Sequence, residues 1–341
     1  DNLRETGFFP VDSCAATGST TFCVPLSDPH YDGTVDFHNN GTADADNHGV
    51  ARFAAVYLQD QIEFSPRWQA ILGVRYDRFH VDFTSFTDLR NGRTGQFDVT
   101  DNLLSPRAGL IFKPVEAVSL YASYSLAQLP RSGDQMSSLS ASTAAFEPER
   151  FTNVELGAKW DIRPDLAATF AVYRLDRRNV IIPDPADPSR SLLVKGQSAR
   201  GVEIGLAGNL TGRWKVMGGY AWQDGELLEK LSATALDGAR LAQLPEHTLS
   251  LWNRFDVNAT WGLGLGVIRR SQLFPSTDNT VVVPGYTRMD GAVYYRHNEQ
   301  LRLQLNLENL LDREYFVSAH SNNNITPGSP RATYVEATFS F

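Results

Sequence analysis

The chain lacks any long apolar run, since none approaches the roughly 18 residues that a membrane-spanning helix requires. Hydrophobic residues make up 42% of the 341 residues and charged residues 21%, a balance nearer to that of a soluble protein than to that of a helical membrane protein. A helical membrane bundle is therefore excluded. If the protein crosses a membrane, strands must do so.

Excess positive charge is also missing: the net formal charge is −8 and no basic run stands out. Nucleic-acid binding requires a clustered positive surface, so no nucleic-acid partner is predicted. Catalytic arrangements are equally scarce, because Asp, Glu and His are scattered and no nucleophile lies in a strand-turn-helix elbow or beside a base. The sequence thus predicts a protein without catalytic residues or a cofactor.

Cysteine occurs only twice, at Cys14 and Cys23, in a polar stretch. The spacing does not fit a CxxC redox pair, and a second ligand pair for zinc is missing. We expect a disulfide that staples a loop in an oxidising compartment, with two unpaired thiols as the alternative. The irregular spacing of His30, His38 and His48 among aspartates predicts a solvated polar loop rather than a metal site.

What the chain does have is alternation. Apolar side chains occupy every second position of the last segment, at Val335, Ala337, Phe339 and Phe341. A period of two indicates a strand with one apolar and one polar face, which fits a wall between lipid and water. An open strand edge in lipid would leave backbone groups unpaired, so the wall must close into a barrel.

The pattern recurs along the chain and predicts an all-β fold, a transmembrane antiparallel β-barrel. About thirteen segments are predicted as strands, at 50–64, 68–83, 103–113, 118–126, 151–161, 166–177, 192–208, 214–223, 241–257, 261–271, 286–296, 301–309 and 331–341. Most exceed the ~9–11 residues that a tilted strand needs to cross a bilayer. Trp68, Trp160, Trp214 and Trp261 all lie beside short turns, as expected of an aromatic girdle at one membrane interface.

Connections between these segments alternate between short and long. Outer-membrane barrels have short periplasmic turns and long extracellular loops, so the alternation predicts which side each connection faces. Residues 1–49 are then an extracellular loop that contains the cysteines, and residues 50–341 are barrel strands with their connections. Bacterial single-chain barrels have an even number of strands, so an odd count predicts that strands are missing upstream.

Several runs in the predicted barrel resemble one known family, the TonB-dependent siderophore receptors. They are VYLQDQI at 56–62, LLSPRAGL at 103–110, FEPERFTNVELGAKW at 146–160, LNLENLLDREY at 305–315 and PGSPR at 327–331. The run LPRSGDQ at 129–135 is most similar to receptors for ferric catecholate siderophores. The resemblance implies a barrel of about 22 strands around a separate plug, of which this chain supplies the last thirteen and lacks the plug and the first nine.

The function implied by the resemblance is import of ferric siderophores of the catecholate class across the bacterial outer membrane. The implied partners are the siderophore, the TonB–ExbB–ExbD complex acting through the missing N-terminal region, and the membrane with its lipopolysaccharide. A passive porin is the alternative, because inward-facing polar residues such as Lys215, Arg302 and Gln304 would suit a water-filled lumen as well.

A ferric catecholate complex is a bulky trianion with aromatic rings, so its receptor needs cationic and aromatic side chains near the outer mouth. The residues predicted to contact it are Arg131, Arg240, Arg270, Phe274, Tyr286, Arg288 and Phe316. Each has a structural alternative; Arg288, for example, can pair with Asp290. Arg269 is predicted to point outward and to contact lipopolysaccharide.

Overall fold

The computed structural model describes residues 2–7, 45–132, 139–140, 143–183, 191–231, 233, 235–322 and 324–340. The predicted staple between Cys14 and Cys23, and the terminal Phe341, lie outside these residues. Within them, no helix combines the length and the apolar character needed to cross a membrane.

The described residues form eighteen strands. Their bounds are β1 Asn2–Gly7, β2 Ala45–Ser65, β3 Trp68–Ser85, β4 Gln96–Val115, β5 Val118–Leu129, β6 Glu149–Arg163, β7 Leu166–Arg178, β8 Val180–Pro183, β9 Ser191–Val194, β10 Gln197–Asn209, β11 Trp214–Leu227, β12 His247–Asp256, β13 Trp261–Arg270, β14 Tyr286–Arg296, β15 Leu301–Glu308, β16 Phe316–Ser321, β17 Asn324–Pro327 and β18 Ala332–Phe339. Fourteen belong to one sheet, in the order β1–β2–β3–β4–β5–β6–β7–β10–β11–β12–β13–β14–β15–β18. The strands β8 and β9 form a separate hairpin, as do β16 and β17. A short helix, α1, spans Phe86–Arg90, and a 3-10 turn spans Thr143–Ala145.

Thirteen strands of the large sheet correspond to the thirteen predicted segments, and β1 is an addition. It pairs antiparallel with the start of β2, from Asn2 opposite Val50 to Gly7 opposite Ala45. The predicted boundary between residues 49 and 50 therefore falls inside β2. The large sheet of the described residues therefore has fourteen strands, one more than the thirteen predicted.

The chain divides into two compact units, and the first consists of Asp1–Val56, Arg75–Leu104 and Leu129–Pro148. Its apolar core is a cluster of buried side chains contributed by β2, β3, β4 and the segment after β5. The cluster comprises Ala51, Val81, Phe83, Phe97, Val99 and Leu139. These strands extend further than predicted, since β3 continues to Ser85 and β4 begins at Gln96. The predicted long connection at 84–102 is shortened accordingly.

The second unit consists of Tyr57–Val74, Ser105–Gln128 and Glu149–Phe341, and its strands have one apolar and one polar face. Directly opposed residues of antiparallel strands project to the same side of a sheet. Leu303 lies opposite Ala337 and Leu305 opposite Val335, so the apolar positions of β15 and β18 share one side. Val335 is 76% exposed. A continuous exposed apolar face of this kind indicates apolar surroundings.

Connections in this unit alternate in length as predicted. Two to four residues join β6 to β7, β10 to β11, β12 to β13 and β14 to β15, whereas much longer segments join β7 to β10, β11 to β12, β13 to β14 and β15 to β18. Each strand therefore has a short-turn end and a long-loop end.

Aromatic side chains on the polar face cover glycines of the neighbouring strand. A Cβ added to Gly266 would come within 2.5 Å of the Trp252 ring, and one added to Gly201 within 2.6 Å of the Tyr173 hydroxyl. Tyr121 covers Gly157 in the same way and donates a hydrogen bond to Glu155 Oε1 at 2.6 Å. Glycine is required at these positions because any side chain would displace the ring.

Gly208, near the end of β10, combines two constraints. Its φ is +135°, and an added Cβ would meet the Asp165 carbonyl oxygen and lie 2.7 Å from the Leu166 Cα. We expect Gly208→Ala to destabilise the folded protein by about 2 kcal/mol, because both the dihedral angle and the backbone contact oppose a side chain. Urea unfolding in detergent, followed by tryptophan fluorescence, measures the change.

The matched control is Gly212→Ala. Gly212 lies in the adjacent short turn, where nothing stands within 4 Å of an added Cβ and φ is not positive. The Gly212→Ala substitution should leave the midpoint of urea unfolding nearly unchanged. Equal effects of the two substitutions would contradict the assignment of strain to Gly208.

Candidate functional site

The main cluster of predicted binding residues lies at the long-loop end of β13 and β14, on the polar face. Arg270 ends β13 and stands opposite Tyr286, the first residue of β14, while Ile268 stands opposite Arg288. Alternation therefore places Arg270, Tyr286 and Arg288 on the same side of the sheet. The loop after β15 returns to this side with Tyr315 and Phe316.

Arg288 is held by acidic and phenolic groups. Its Nη2 lies 2.9 Å from Asp290 Oδ2, and its Nη1 lies 2.7 Å from Glu308 Oε1 on β15. Nη1 also donates to the Tyr315 hydroxyl at 3.0 Å. Arg288 and Asp290 do pair, as in the structural alternative considered from the sequence. The Arg288 charge is thus offset by two carboxylates.

Arg270 has a different environment. Its guanidinium carbon lies 5.0 Å from the centre of the Tyr286 ring, and Nη2 donates to the Phe316 carbonyl oxygen at 2.9 Å. Nη1 donates to the Val317 carbonyl oxygen. Among the residues that the structure describes, no carboxylate forms an ion pair with Arg270, and its buried Nε has no hydrogen-bond partner. The cationic charge of Arg270 is therefore not neutralised by the described part of the chain.

Aromatic rings extend this arrangement into the loop. The ring centres of Tyr286 and Tyr315 are 4.5 Å apart, with a 42° angle between the planes. Tyr315 is buried and covers Gly328, whereas Phe316 is 43% exposed at the start of β16. We call Arg270, Tyr286, Tyr315 and Phe316 the Arg270 cluster. It combines an unneutralised cation with an exposed phenylalanine ring and a tilted pair of tyrosine rings.

Asn309 fixes the loop that carries Tyr315. It is fully buried, has a φ of +51°, and its backbone N–H donates to Asp290 Oδ1 at 2.8 Å. Its side-chain Nδ2 donates to the carbonyl oxygens of Arg313 and Ser329 at 2.9 and 3.0 Å. Its Oδ1 accepts from the Arg313 N–H at 2.9 Å. Sequence reasoning did not single out Asn309, although an Asn directly after a strand is a turn signal.

Arg240 and Phe274 belong to other loop contacts. Arg240 Nη1 lies 3.0 Å from Glu246 Oε2, and its backbone N–H donates to Asn279 Oδ1 at 2.8 Å. Two hydrogen bonds lower the pKa of the Glu246 carboxyl below its ordinary value. The bond from Arg240 has the larger effect, and the bond from Trp222 the next largest. The Phe274 carbonyl oxygen accepts from the Gln243 N–H at 2.7 Å. These contacts connect the loops on either side of β12 and β13.

Arg131 lies in the first unit, where it forms structural contacts. Its Nε lies 2.6 Å from Asp101 Oδ1, a carboxylate that is almost fully buried, and its backbone N–H donates to Asp101 Oδ2 at 2.9 Å. Nη2 donates to the Thr100 carbonyl oxygen at 3.1 Å. The guanidinium thus joins the segment after β5 to β4.

One group of potential metal ligands occurs in the described part of the first unit. It consists of His80, Asp82 and Asp98. The two carboxylates approach different ring nitrogens of His80, at 3.4 Å to Nε2 and 3.6 Å to Nδ1, and Arg52 lies 2.6 Å from Asp82. A single ion would contact only one imidazole nitrogen. The geometry therefore fits a set of polar side-chain contacts around His80, next to the Arg52–Asp82 ion pair.

A cavity of about 550 Å³ lies on the polar face at the short-turn end of β11 to β15. Its charged lining residues are Arg213, Lys215, Arg254, Arg296, Arg302 and Asp256. Asp256 pairs with Arg254 at 2.8 Å and approaches Lys215 at 3.8 Å. This end of the polar face thus carries an excess of positive charge.

An antiparallel sheet with one exposed apolar face and one polar face is typical of a transmembrane β-barrel. Comparison with known families identifies the class of barrel as that of receptors. The family model described as "TonB dependent receptor-like, beta-barrel" matches residues 17–310. The chain belongs to this family, which confirms the predicted all-β transmembrane barrel class. It is a family of receptors and not of enzymes, in agreement with the absence of a predicted catalytic site.

Individual relatives agree with this membership. The metal-pseudopaline receptor CntO of Pseudomonas aeruginosa is 30% identical over 84% of this chain and 40% of its own length. The crystal structure of the siderophore receptor PiuA from Acinetobacter baumannii matches with a TM-score of 0.77 and 28% identity, over 87% of this chain and 44% of that one. The closed form of the ferric-catecholate import receptor Fiu from Escherichia coli K12 gives 0.75 and 26%, over 90% and 46%. The chain spans about half the length of these relatives.

Proposed function

We propose that this chain is part of a bacterial outer-membrane receptor that binds a ferric siderophore outside the cell and imports it with energy supplied through the TonB–ExbB–ExbD complex. Membership of the TonB-dependent receptor family supports the proposal, as do the names of relatives that bind siderophores. Coupling to TonB would involve an N-terminal region beyond the residues of this chain.

The observation that carries the proposal is the Arg270 cluster. A ferric catecholate complex is anionic and presents aromatic rings, so a guanidinium without a carboxylate partner, placed beside tyrosine rings, complements both properties. The position at the long-loop end of the polar face corresponds to the outer mouth of a receptor. Arg288, by contrast, orients the cluster through Tyr315, because its own charge is offset by two carboxylates.

Catecholates are the proposed siderophore class, as Fiu is described as a catecholate siderophore receptor. A receptor for a different metal chelate is the second candidate, favoured by the 30% identity to a metal-pseudopaline receptor. Binding of an anionic chelate without aromatic rings would depend more on the guanidinium and less on the aromatic side chains. A passive porin is not favoured, since the matched family consists of receptors.

The proposed site predicts that Arg270→Ala weakens binding of a ferric tris-catecholate about 10- to 100-fold. A charge-assisted hydrogen bond to an anionic ligand is worth about 1.5–3 kcal/mol, and about 1.4 kcal/mol corresponds to tenfold. Quenching of tryptophan fluorescence by the ferric complex, titrated into the full-length protein in detergent, gives the dissociation constant. A ferric hydroxamate of similar size tests the preference for aromatic ligands.

Arg269→Ala is the matched control, because it removes the same charge from the adjacent residue on the opposite face of β13. The Arg269→Ala variant should bind the ferric complex with the same affinity as the wild type. If both variants bind as tightly as the wild type, Arg270 is not a ligand contact. If the wild type binds no ferric chelate but admits sugars into liposomes, the protein is a porin.

A further inference from the structure

The short-turn end of the polar face carries two pairs of cations that face each other across neighbouring strands. Arg296, at the end of β14, stands directly opposite Arg302 on β15, and Lys215 on β11 stands directly opposite Arg254 on β12. Like charges in such positions destabilise a sheet. Asp256 relieves the second pair, because it contacts both Lys215 and Arg254. Within the described part of the chain, no carboxylate forms an ion pair with Arg296 or Arg302.

Both pairs line the cavity of about 550 Å³ described above, which we call the inner cavity. Arg213, in the short turn before β11, is a further cation of its lining. Five cations and one carboxylate thus surround a volume within the range of about 300–1,000 Å³ that is typical of small-molecule sites. Charges of one sign around a cleft concentrate ligands of the opposite sign. The inner cavity is therefore suited to a ligand that carries several negative charges.

An aromatic ring accompanies these cations. The guanidinium carbon of Arg254 lies 4.1 Å from the centre of the Tyr294 ring, and Tyr294 stands opposite Gln304 on β15. All three residues line the inner cavity. The cavity therefore combines guanidinium groups with a tyrosine ring, which are the two chemical properties of the Arg270 cluster at the other end of the same face. A ligand that is both anionic and aromatic would suit both places.

Aromatic side chains connect the Arg270 cluster to the inner cavity along β13 and β14. Alternation from Arg270 places Gly266 and Gly264 on the polar face of β13. Trp252 covers both glycines, and a Cβ added to Gly264 would lie 2.6 Å from the Trp252 ring and 3.2 Å from the Tyr294 ring. Trp252 and Tyr294 therefore flank the same glycine, and aromatic surface continues from the middle of the face to the cavity.

We propose that the inner cavity is a second binding site for the anionic, aromatic iron chelate, which occupies it on the way out of the lumen. The inference rests on the proposed function of the protein as an import receptor. Passage through a protein requires sites that bind well enough for the ligand to enter and weakly enough for it to leave. Arg296 and Arg302 are exposed to solvent, and Asp256 offsets part of the charge, so the inner site binds the chelate more weakly than the Arg270 cluster does.

The test is a calorimetric titration of the full-length protein in detergent with a ferric tris-catecholate. The wild type should show two binding events, one tight and one weaker. The double variant Arg296→Gln/Arg302→Gln should lose at least about tenfold in the affinity of the weaker event and keep the tight one, which also shows that the variant is folded. Arg270→Ala should have the converse effect. The matched control, Arg178→Gln/Arg269→Gln, removes the same charge from the apolar face and should retain both events.

Three results would overturn the inner site. The first is a single event in the wild type that Arg270→Ala weakens and Arg296→Gln/Arg302→Gln does not, which would leave the proposed function intact. The second is a single event together with a lower free energy of unfolding of the Arg296→Gln/Arg302→Gln variant, since an acidic protein segment would then occupy the cavity. The third is displacement of the weaker event by an equal concentration of sulfate, which would show a general anion site.

Failure of the proposed function has a different signature. If the wild type binds no ferric tris-catecholate at all, neither the Arg270 cluster nor the inner cavity is a site for this chelate, and the import of catecholates is refuted together with the inner site. If the tight event is present and sensitive to Arg270→Ala, the proposed function stands, and the weaker event alone decides the inner site.

Discussion

Replacing Arg288 with methionine is expected to lower the free energy of unfolding by about 3 kcal/mol, because the substitution leaves two partly buried carboxylates without their shared cation. Arg288, Asp290 and Glu308 are 18%, 16% and 31% exposed in their side chains, so solvent screens them only in part. The lost bond to Tyr315 would also release the loop that completes the Arg270 cluster. Urea unfolding in detergent measures the first effect, and the affinity for the ferric complex the second.

Arg75→Met is the matched control for this substitution. Arg75 pairs with Asp77 two residues along the same strand, as Arg288 pairs with Asp290, but its side chain is 51% exposed. Exposed pairs contribute about 0–1 kcal/mol, so little change is expected. Adding Glu308→Gln to Arg288→Met should recover part of the loss by removing the repulsion. A loss no larger than that of Arg75→Met would refute the role given to the Arg288 ion pairs.

Asn309→Gly is expected to cost about 3 kcal/mol of stability and to weaken binding of the ferric complex. The side chain makes three hydrogen bonds inside the protein, and its removal leaves the carbonyl oxygens of Arg313 and Ser329 without these donors. Glycine accepts the φ of +51°, so Gly isolates the hydrogen bonds. Asn309→Ala should cost about 1 kcal/mol more, since alanine is strained in the left-handed region.

Asn279 provides the comparison, because it also has a positive φ, +53°, and its side chain also bonds to neighbouring backbone at Arg240 and Ser276. It is only partly buried, so water can replace its hydrogen bonds. Asn279→Gly should therefore cost less than half as much as Asn309→Gly. Comparable unfolding midpoints for the two glycine variants would argue against Asn309 as the residue that fixes the loop.

Alternation made most of the sheet predictable from sequence. In β15, a shift by one residue would turn Arg302 and Glu308 to the apolar side and the four leucines to the polar side, so the register is strongly determined. The strand β1 was missed because Asn2–Gly7 has no such pattern. Its pairing depends on the extension of β2 to Ala45, a long-range contact that local periodicity does not encode.

The candidate site was predictable only in part, because local periodicity does not encode its long-range contacts either. Placement of Arg270, Tyr286 and Arg288 on one face follows from a period of two along adjacent strands. The neutralisation of Arg288 by Glu308, and the return of Tyr315 and Phe316 to this face, depend on how the loop after β15 folds. That fold is determined by hydrogen bonds of Asn309 to residues up to twenty positions away.

The aromatic side chains that cover glycines also determine how much room the polar side offers. Trp252, Tyr173 and Tyr121 would each project far into that side if the facing residues had side chains. Because Gly266, Gly201 and Gly157 accept the rings against the backbone, these large groups become part of the wall, and its inner surface is smooth at these points. A bulky chelate, or a folded domain that must shift to admit one, would then meet aromatic groups close to the wall rather than protruding side chains.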